Sequence, residues 1–334
     1  MKAVDMHCDT ITEMYAKRLE GAACDMQAND LHVDLGKLLR GGYMLQNFAV
    51  FAHRDHLQGK MTMAEYAFRV IDFFLTELRR YPKQVGIVTC FADMEENERN
   101  GRLSAMLTME EGGICEGKLE YLRIFYELGV RMFTFTWNFP NELAFPNRVE
   151  LYGVHAGRFV PETERGLTKT GFAFLEEMER LGILADVSHL GDKGIFDVIG
   201  HAKRPFVASH SNARAICGHP RNLTDPMIRG IAEHGGVVGV NYCPAFLKDK
   251  AESNVPNAVS LNDVVRHIRH LIRVGGEECV GLGSDFDGTR LSFEMKDAGD
   301  LPLLEKKLCE ERFTDEQIER IFYKNVMRVY RDVL

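Results

Sequence analysis

Short apolar runs alternate along the chain with longer segments of helical periodicity. Most of the runs are nearly continuous in apolar residues, as expected for strands buried on both faces of a parallel sheet. Eight runs predict strands at residues 3–6, 44–52, 104–109, 131–136, 183–187, 205–208, 236–241 and 279–283. The clearest helical patterns between them lie at residues 63–80, 119–128, 168–181 and 261–274.

This alternation is typical of βαβ units and therefore of an α/β protein. Eight such units predict a closed (β/α)₈ TIM barrel, with a doubly wound open sheet as the structural alternative. No low-complexity segment, long charge run or Pro/Ser-rich linker divides the 334 residues. We therefore predict one domain that spans residues 1–334. A chain of this length buries enough surface to hold its core without disulfides.

Composition narrows the classes of partner and the compartment. The net charge of −8 argues against nucleic acid and against anionic membrane surfaces, because both require a basic face. Eight cysteines are present without a CxxC pair, which favours reduced thiols and a cytoplasmic location. The chain begins MKAVDMHCDT without an apolar signal region, and no apolar run is long enough to span a membrane.

Polar side chains follow most of the predicted strands. In a (β/α)₈ barrel the carboxyl ends of the strands meet on one face, where active sites lie. Histidines and carboxylates at one such mouth indicate a metal site. The residues at these strand ends are His7, Asp9, Glu110, Glu111, Trp137, Asn138, His189, His210 and Asp285.

Several of these residues also have an ordinary structural explanation. His7 and Asp9 lie two apart on an extended chain, so both can face one ion; a turn aspartate beside a polar histidine is the alternative. His189 and His210 could each be core histidines, although their occurrence on adjacent strands favours ligands. Asp285 could cap a helix. Away from these strand ends, His267 and His270 lie beside Arg266 and Arg269, a pattern that favours a solvated helix face.

Five segments together resemble the membrane (renal-type) dipeptidase family of metallopeptidases. They occur in the family's order and extend from Asp5 to about Gly288. The third segment contains His189, and the fourth contains His210. The segments read DMHCDT, MEEGG, LGILADVSHL, PFVASHSNARAICGHPRNLTD and GLGSDFDG. The resemblance implies the same barrel fold that the strand count predicts.

Carried over by motif, the resemblance implies a site with two zinc ions. His7 and Asp9 would hold one zinc, and His189 and His210 would hold the other. Glu111, immediately before the glycine pair, would bridge both ions. Glu110 is then expected to be an exposed loop residue or a supporting group.

The resemblance also implies substrate-binding and catalytic residues. Arg221 would bind the carboxylate end of the substrate, and Asp285 would lie near the scissile group. At the end of the fourth predicted strand the animal enzymes place a histidine, whereas this chain has Trp137 followed by Asn138. An indole N–H only donates, so Trp137 could hydrogen-bond an oxyanion but could not transfer a proton; Asn138 could also donate.

The predicted function is a zinc-dependent dipeptidase. It would hydrolyse dipeptides, including those with a C-terminal D-residue, through a hydroxide that bridges two Zn²⁺ ions. Manganese and cobalt also suit the ligands, and the resemblance suggests a homodimer. One alternative is another binuclear metal amidohydrolase, such as an amidase, a lactonase or a deaminase. A non-catalytic binding protein on the same barrel is a third possibility.

Overall fold

The computed structural model describes residues 1–57, 59, 61–149, 158–250, 255, 258–291 and 293–334. Its strands in chain order are β1 (Ala3–Asp5), β2 (Tyr43–Phe51), β3 (Val85–Val88), β4 (Leu103–Glu110), β5 (Val130–Thr134), β6 (Arg148–Val149), β7 (Phe159–Val160), β8 (Leu184–Asp186), β9 (Val207–Ala208), β10 (Val237–Val240) and β11 (Val280–Leu282).

Eight of the described strands close into a parallel barrel. Neighbouring strands pair in the order β1, β2, β4, β5, β8, β9, β10 and β11, and β11 returns to β1. The closing contact is the pairing of β2 with β4, which runs from Leu45 beside Ser104 to Phe51 beside Glu110. This pairing confirms the predicted (β/α)₈ barrel and excludes the open doubly wound sheet. All eight predicted runs form barrel strands; β3, which pairs with the first half of β4, was not predicted.

Helices connect the strands on the outside of the barrel. They are α1 (Thr10–Leu19), α2 (Leu35–Arg40), α3 (Met63–Leu78), α4 (Phe91–Arg99), α5 (Leu119–Glu127), α6 (Lys169–Leu181), α7 (Asp192–His201), α8 (Asp225–Glu233), α9 (Pro244–Leu247), α10 (Leu261–Gly275), α11 (Leu301–Glu310), α12 (Asp315–Glu319) and α13 (Asn325–Val333). No helix among the described residues combines the length and the hydropathy needed to cross a bilayer.

Local sequence signals set several of these helix boundaries. The Thr62 hydroxyl accepts the Glu65 N–H at the start of α3, and the Thr168 hydroxyl accepts the Gly171 N–H at the start of α6. Each bond satisfies one of the N–H groups that the first turn of a helix leaves without an intrahelical partner. Helix α6 ends at Gly182, whose φ of 79° lies in the left-handed region that glycine adopts at no steric cost.

The C-terminal helix closes one end of the barrel. Val326, Val329 and Tyr330 of α13 pack against side chains from the beginnings of the strands, among them Val4 and Leu45. These residues are fully buried, so apolar side chains fill the barrel at the amino ends of its strands. The polar strand ends are therefore collected at the opposite, open mouth.

Candidate metal centre

Four barrel strands bring three histidines around one glutamate. His7 follows β1, His189 and His210 follow β8 and β9, and Glu110 is the last residue of β4. Glu110 Oε1 lies 3.0 Å from His189 Nε2 and 3.6 Å from His210 Nε2, while Glu110 Oε2 lies 3.6 Å from His7 Nε2. The two oxygens of one carboxylate thus face two different sets of histidine nitrogens.

The predicted bridging residue, Glu111, lies outside this cluster. Its φ of 86° ends the strand and turns the side chain away from the barrel axis. One carboxylate oxygen accepts N–H groups from Gly113 and Asn141 at 2.7 and 2.6 Å, and the other accepts the Trp137 N–H at 2.6 Å. We therefore correct the assignment from the sequence: Glu110 faces the histidines, and Glu111 anchors the adjoining loops.

Asp9 and Asp285 complete the cluster on the side of His7. Asp9 Oδ2 lies 3.4 Å from His7 Nε2, and Asp285 Oδ1 lies 4.0 Å from the same nitrogen. Asp285 Oδ2 accepts a hydrogen bond of 2.9 Å from the Asn241 amide. The predicted residues His7, Asp9, His189, His210 and Asp285 are all brought together at the mouth of the barrel.

Electrostatics at this cluster favour a bound cation. Burial lowers the pKa of His7, but Glu110 and Asp9 outweigh it and raise that pKa to about 10. Burial, together with repulsion from Asp9, raises the pKa of Glu110 well above its usual value. Burial also raises the pKa of Asp285 to about 6, against the attraction of His7. Carboxylates held this close together are stabilised by a positive charge among them.

The donor set fits a divalent metal. Imidazole nitrogens and carboxylate oxygens are the common ligands of zinc and related cations. Asp9 Oδ1 is buried without a hydrogen-bond partner among the described residues. His189 Nε2 and His210 Nε2 lie 2.9 Å apart. A cation that both nitrogens coordinate would satisfy them together.

Hydrogen bonds behind the histidines set which ring nitrogen faces the cluster. The Ser209 hydroxyl donates to Asp186 at 2.6 Å, so it accepts the N–H from His210 Nδ1 at 2.7 Å. His189 Nδ1 lies 2.9 Å from the amide oxygen of Asn138, which can only accept. Both rings therefore present an unprotonated Nε2 to Glu110, the form that binds metal. Burial also lowers the pKa of both histidines well below its usual value and keeps the rings neutral.

Arg221 supplies an uncommitted positive charge beside the cluster. Its side chain is 5% exposed, yet its contacts to Ser211 Oγ and the His210 carbonyl are long, at 3.4 and 3.3 Å. Its Nε atom has no hydrogen-bond partner among the described residues. The guanidinium lies 5.3 Å from the ring centre of Phe246. A buried cation with such weak partners is suited to bind an anionic group.

A cavity of about 230 Å³ opens over the cluster. A groove of about 710 Å³ between α1 and α3 is larger, but the part of the chain that the structure describes contributes no histidine to its lining, so we assign the function to the smaller cavity. The side chains around the smaller cavity combine carboxylates with an aromatic wall. Its lining residues are Asp9, Glu13, Phe51, Glu110, Trp137, Asn138, His189, Cys243, Phe246, Asp285, Asp287, Gly288 and Thr289.

The whole chain, residues 1–334, matches the model of the membrane dipeptidase family, peptidase family M19. The chain belongs to this family. An uncharacterised dipeptidase of Schizosaccharomyces pombe is 30% identical over 99% of this chain and 80% of its own length. An uncharacterised Klebsiella pneumoniae protein encoded in the pqqA 5′ region is 38% identical over 72% of this chain and 86% of its own length.

Solved structures of metallopeptidases share this fold. The metallopeptidase called dipeptidase AC superimposes with a TM-score of 0.87 at 25% identity, over 100% of this chain and 98% of its own. A Rhodobacter sphaeroides metallopeptidase gives a TM-score of 0.86 at 24% identity, over 100% of this chain and 99% of its own. The predicted family and enzyme class are confirmed: the chain is a dipeptidase-type metallopeptidase, and its family implies a divalent metal.

Proposed function

We propose that this membrane dipeptidase family member binds two Zn²⁺ ions and hydrolyses dipeptides, including those with a C-terminal D-residue. The observation that carries the proposal is the position of Glu110, whose two oxygens face His7 on one side and His189 and His210 on the other. His7 with Asp9 would hold one cation, His189 with His210 the second, and Glu110 would contact both. Cations held by these residues would supply a lowered pKa for a water molecule and polarisation of the substrate carbonyl.

Arg221 is proposed to bind the C-terminal carboxylate of the substrate. Its planar guanidinium matches a carboxylate in two parallel hydrogen bonds, and it is buried 3.3 Å from the carbonyl of His210, one of the cluster histidines. A fixed carboxylate site beside the cluster would favour substrates with a single residue after the scissile bond. Such a site would restrict the enzyme to very short peptides.

The stereochemical part of the proposal draws support from a relative. The Rhodobacter sphaeroides metallopeptidase was crystallised with a phosphinate mimic of the dipeptide L-Ala-D-Ala. The resemblance of the sequence motifs to the family points in the same direction. We extend tolerance of a C-terminal D-residue to this chain on those two grounds.

Trp137 and Asn138 take different roles in this proposal. The Trp137 ring lies 5.0 Å from the ring of Phe51, and both line the cavity, so we assign Trp137 to a wall that contacts substrate and excludes water. The Asn138 oxygen is occupied by His189 Nδ1 at 2.9 Å. We therefore assign Asn138 to the orientation of His189 and not to the substrate-binding role predicted from the sequence.

The test of the proposed function is a panel of L,L- and L,D-dipeptides assayed before and after removal of metal. We expect cleavage that a chelator abolishes and that added Zn²⁺ restores, with two equivalents of metal bound per chain. Manganese and cobalt are added in parallel to compare the cations. A protein that holds two metal ions but cleaves no dipeptide would overturn the proposal.

Replacing Arg221 by alanine is expected to weaken the use of substrates that carry a free carboxylate. A hydrogen bond to a charged group is worth about 1.5–3 kcal/mol, so kcat/KM for Ala-Ala should fall roughly 10- to 100-fold. The matched substrate is Ala-Ala amide, on which the variant and the native chain should differ little. Arg221→Lys should recover part of the loss, because it restores charge without the planar fork. Equal losses on the acid and the amide would contradict the carboxylate assignment.

A further inference from the structure

One carboxylate at the cavity, that of Glu13, is not used by the site described so far. Glu13 lies in the first turn of α1, four residues after Asp9, the residue that immediately precedes that helix. Residues four apart lie on one helix face, so Glu13 extends the row that begins at Asp9 toward the mouth of the barrel. Its side chain lines the cavity and is exposed to solvent there.

The other carboxylates of the cavity already have partners. Asp9 and Glu110 face the histidines, and Asp285 accepts from Asn241. Asp287 accepts the His32 N–H at 2.7 Å and the Thr10 hydroxyl at 2.5 Å.

The Glu13 carboxylate, in contrast, has no hydrogen bond or ion pair with any residue that the structure describes. Lys17, one turn further along α1, is paired with Asp30 at 3.0 Å. Among the described residues that line the cavity, none is a lysine or an arginine.

The distance from the cluster determines which part of a dipeptide Glu13 can reach. The α-ammonium group is separated from the scissile carbonyl by a single carbon, so it stays beside Asp285 and Asp9 when the carbonyl is at the cluster. Glu13 lies one helical turn beyond Asp9, and side chains so spaced have Cβ atoms about 5–6 Å apart. A group at that distance is reached by a long side chain of the N-terminal residue, such as the four-carbon stem of lysine.

We propose that Glu13 determines specificity and selects dipeptides whose N-terminal residue carries a cationic side chain, lysine or arginine. This inference rests on the proposed function, because it assumes that a dipeptide lies in the cavity with its carboxylate at Arg221. The apolar stem of that side chain would pass Trp137 and Phe51, while its terminal ammonium or guanidinium pairs with Glu13 at the solvent-exposed rim.

The experiment compares Lys-Ala with norleucyl-Ala, which differ in the terminal ammonium of the first side chain. An ion pair at a half-open site lies between exposed and buried pairs in strength, so we expect a preference of about three- to tenfold for Lys-Ala in kcat/KM. Glu13→Gln should remove this preference and leave norleucyl-Ala hydrolysis and bound metal unchanged. The preference should also decline as ionic strength rises.

The matched control is Glu20→Gln, which removes the same charge from the end of the same helix and away from the cavity. It should keep the native preference. A Glu13→Gln variant that retains the preference would overturn the inference, as would equal losses on both substrates, since those would assign Glu13 to the α-ammonium group. A native chain that cleaves both substrates equally overturns the inference alone, whereas one that cleaves no dipeptide overturns the proposed function itself.

Discussion

Replacing Glu110 by glutamine is expected to remove most of the bound metal and to lower dipeptide hydrolysis roughly a thousandfold or more, because the metal supplies several kcal/mol of charge stabilisation. Glu110 is 3% exposed and is the carboxylate that faces all three histidines. An amide in its place offers one oxygen acceptor and one NH₂ donor, and the donor would point at a cation. Metal content by mass spectrometry and kcat on Ala-Ala, measured on the same preparation, provide the check.

The neighbouring variant, Glu111→Gln, is the matched control for this prediction. Glu111 is fully buried, and its two oxygens accept from Gly113, Asn141 and Trp137. A glutamine would place an NH₂ group against one of those donors, which should cost about 1–3 kcal/mol of folding free energy. We therefore expect a lower Tm with metal still bound.

Opposite behaviour of the two variants would return the bridging role to Glu111. Loss of metal from Glu111→Gln, with two metals and native turnover retained in Glu110→Gln, is the result that contradicts the assignment made from the structure.

The alternation of side chains along β4 explains why Glu110, and not the predicted Glu111, faces the histidines. Met106 belongs to the cluster inside the barrel, whereas Leu107 and Met109 belong to the core between the barrel and its helices. Successive side chains of a strand point to opposite faces, so Glu110 shares the inner face with Met106 and Thr108. The motif alone does not indicate which glutamate faces inward, but the register of the strand does.

The architecture was more predictable than the local geometry. Buried parallel strands leave continuous apolar runs, and this signal survives in a single sequence. The four-residue β3 was not predicted because Val85–Val88 is short and only partly buried. Its place at the edge of β4 depends on pairing between residues far apart in the chain.

The burial of the two histidines of α10 also could not be predicted from the sequence. The sequence predicted a solvated face for His267 and His270, but the structure buries both, at 0% and 4% exposure. His267 Nδ1 accepts the Ala213 N–H at 3.1 Å, so Nε2 carries the proton that it donates to the Leu247 carbonyl at 3.0 Å. His270 Nε2 lies 2.7 Å from the Asp225 carboxylate. Adjacent arginines suggested solvent, whereas the helix turns both histidines toward partners that only the fold brings near.

Replacing Asp285 by asparagine is expected to lower kcat about 10²- to 10⁴-fold, the usual range for loss of a general acid or base, while both metals stay bound. Asp285 Oδ2 is held by the Asn241 amide at 2.9 Å, and Oδ1 faces His7 from 4.0 Å. Asn241 thus fixes the carboxylate and leaves one oxygen directed at the cluster. An asparagine can keep the bond to Asn241 through its own oxygen but cannot carry a proton to the departing amine. Native turnover in Asp285→Asn would remove this residue from the reaction.

A change of leaving group separates proton transfer from orientation of the substrate. A peptide amine must gain a proton as the C–N bond breaks, whereas a thiol of pKa near 8.5 departs as the thiolate. If Asp285 protonates the amine, Asp285→Asn should recover most of its lost rate on a thiodepsipeptide that has sulfur in place of the scissile nitrogen. If Asp285 instead positions the α-ammonium group, which both substrates carry, the loss should be the same on each. The ratio of the two losses therefore assigns the role of the carboxylate, and unchanged metal content ensures that the difference arises at Asp285.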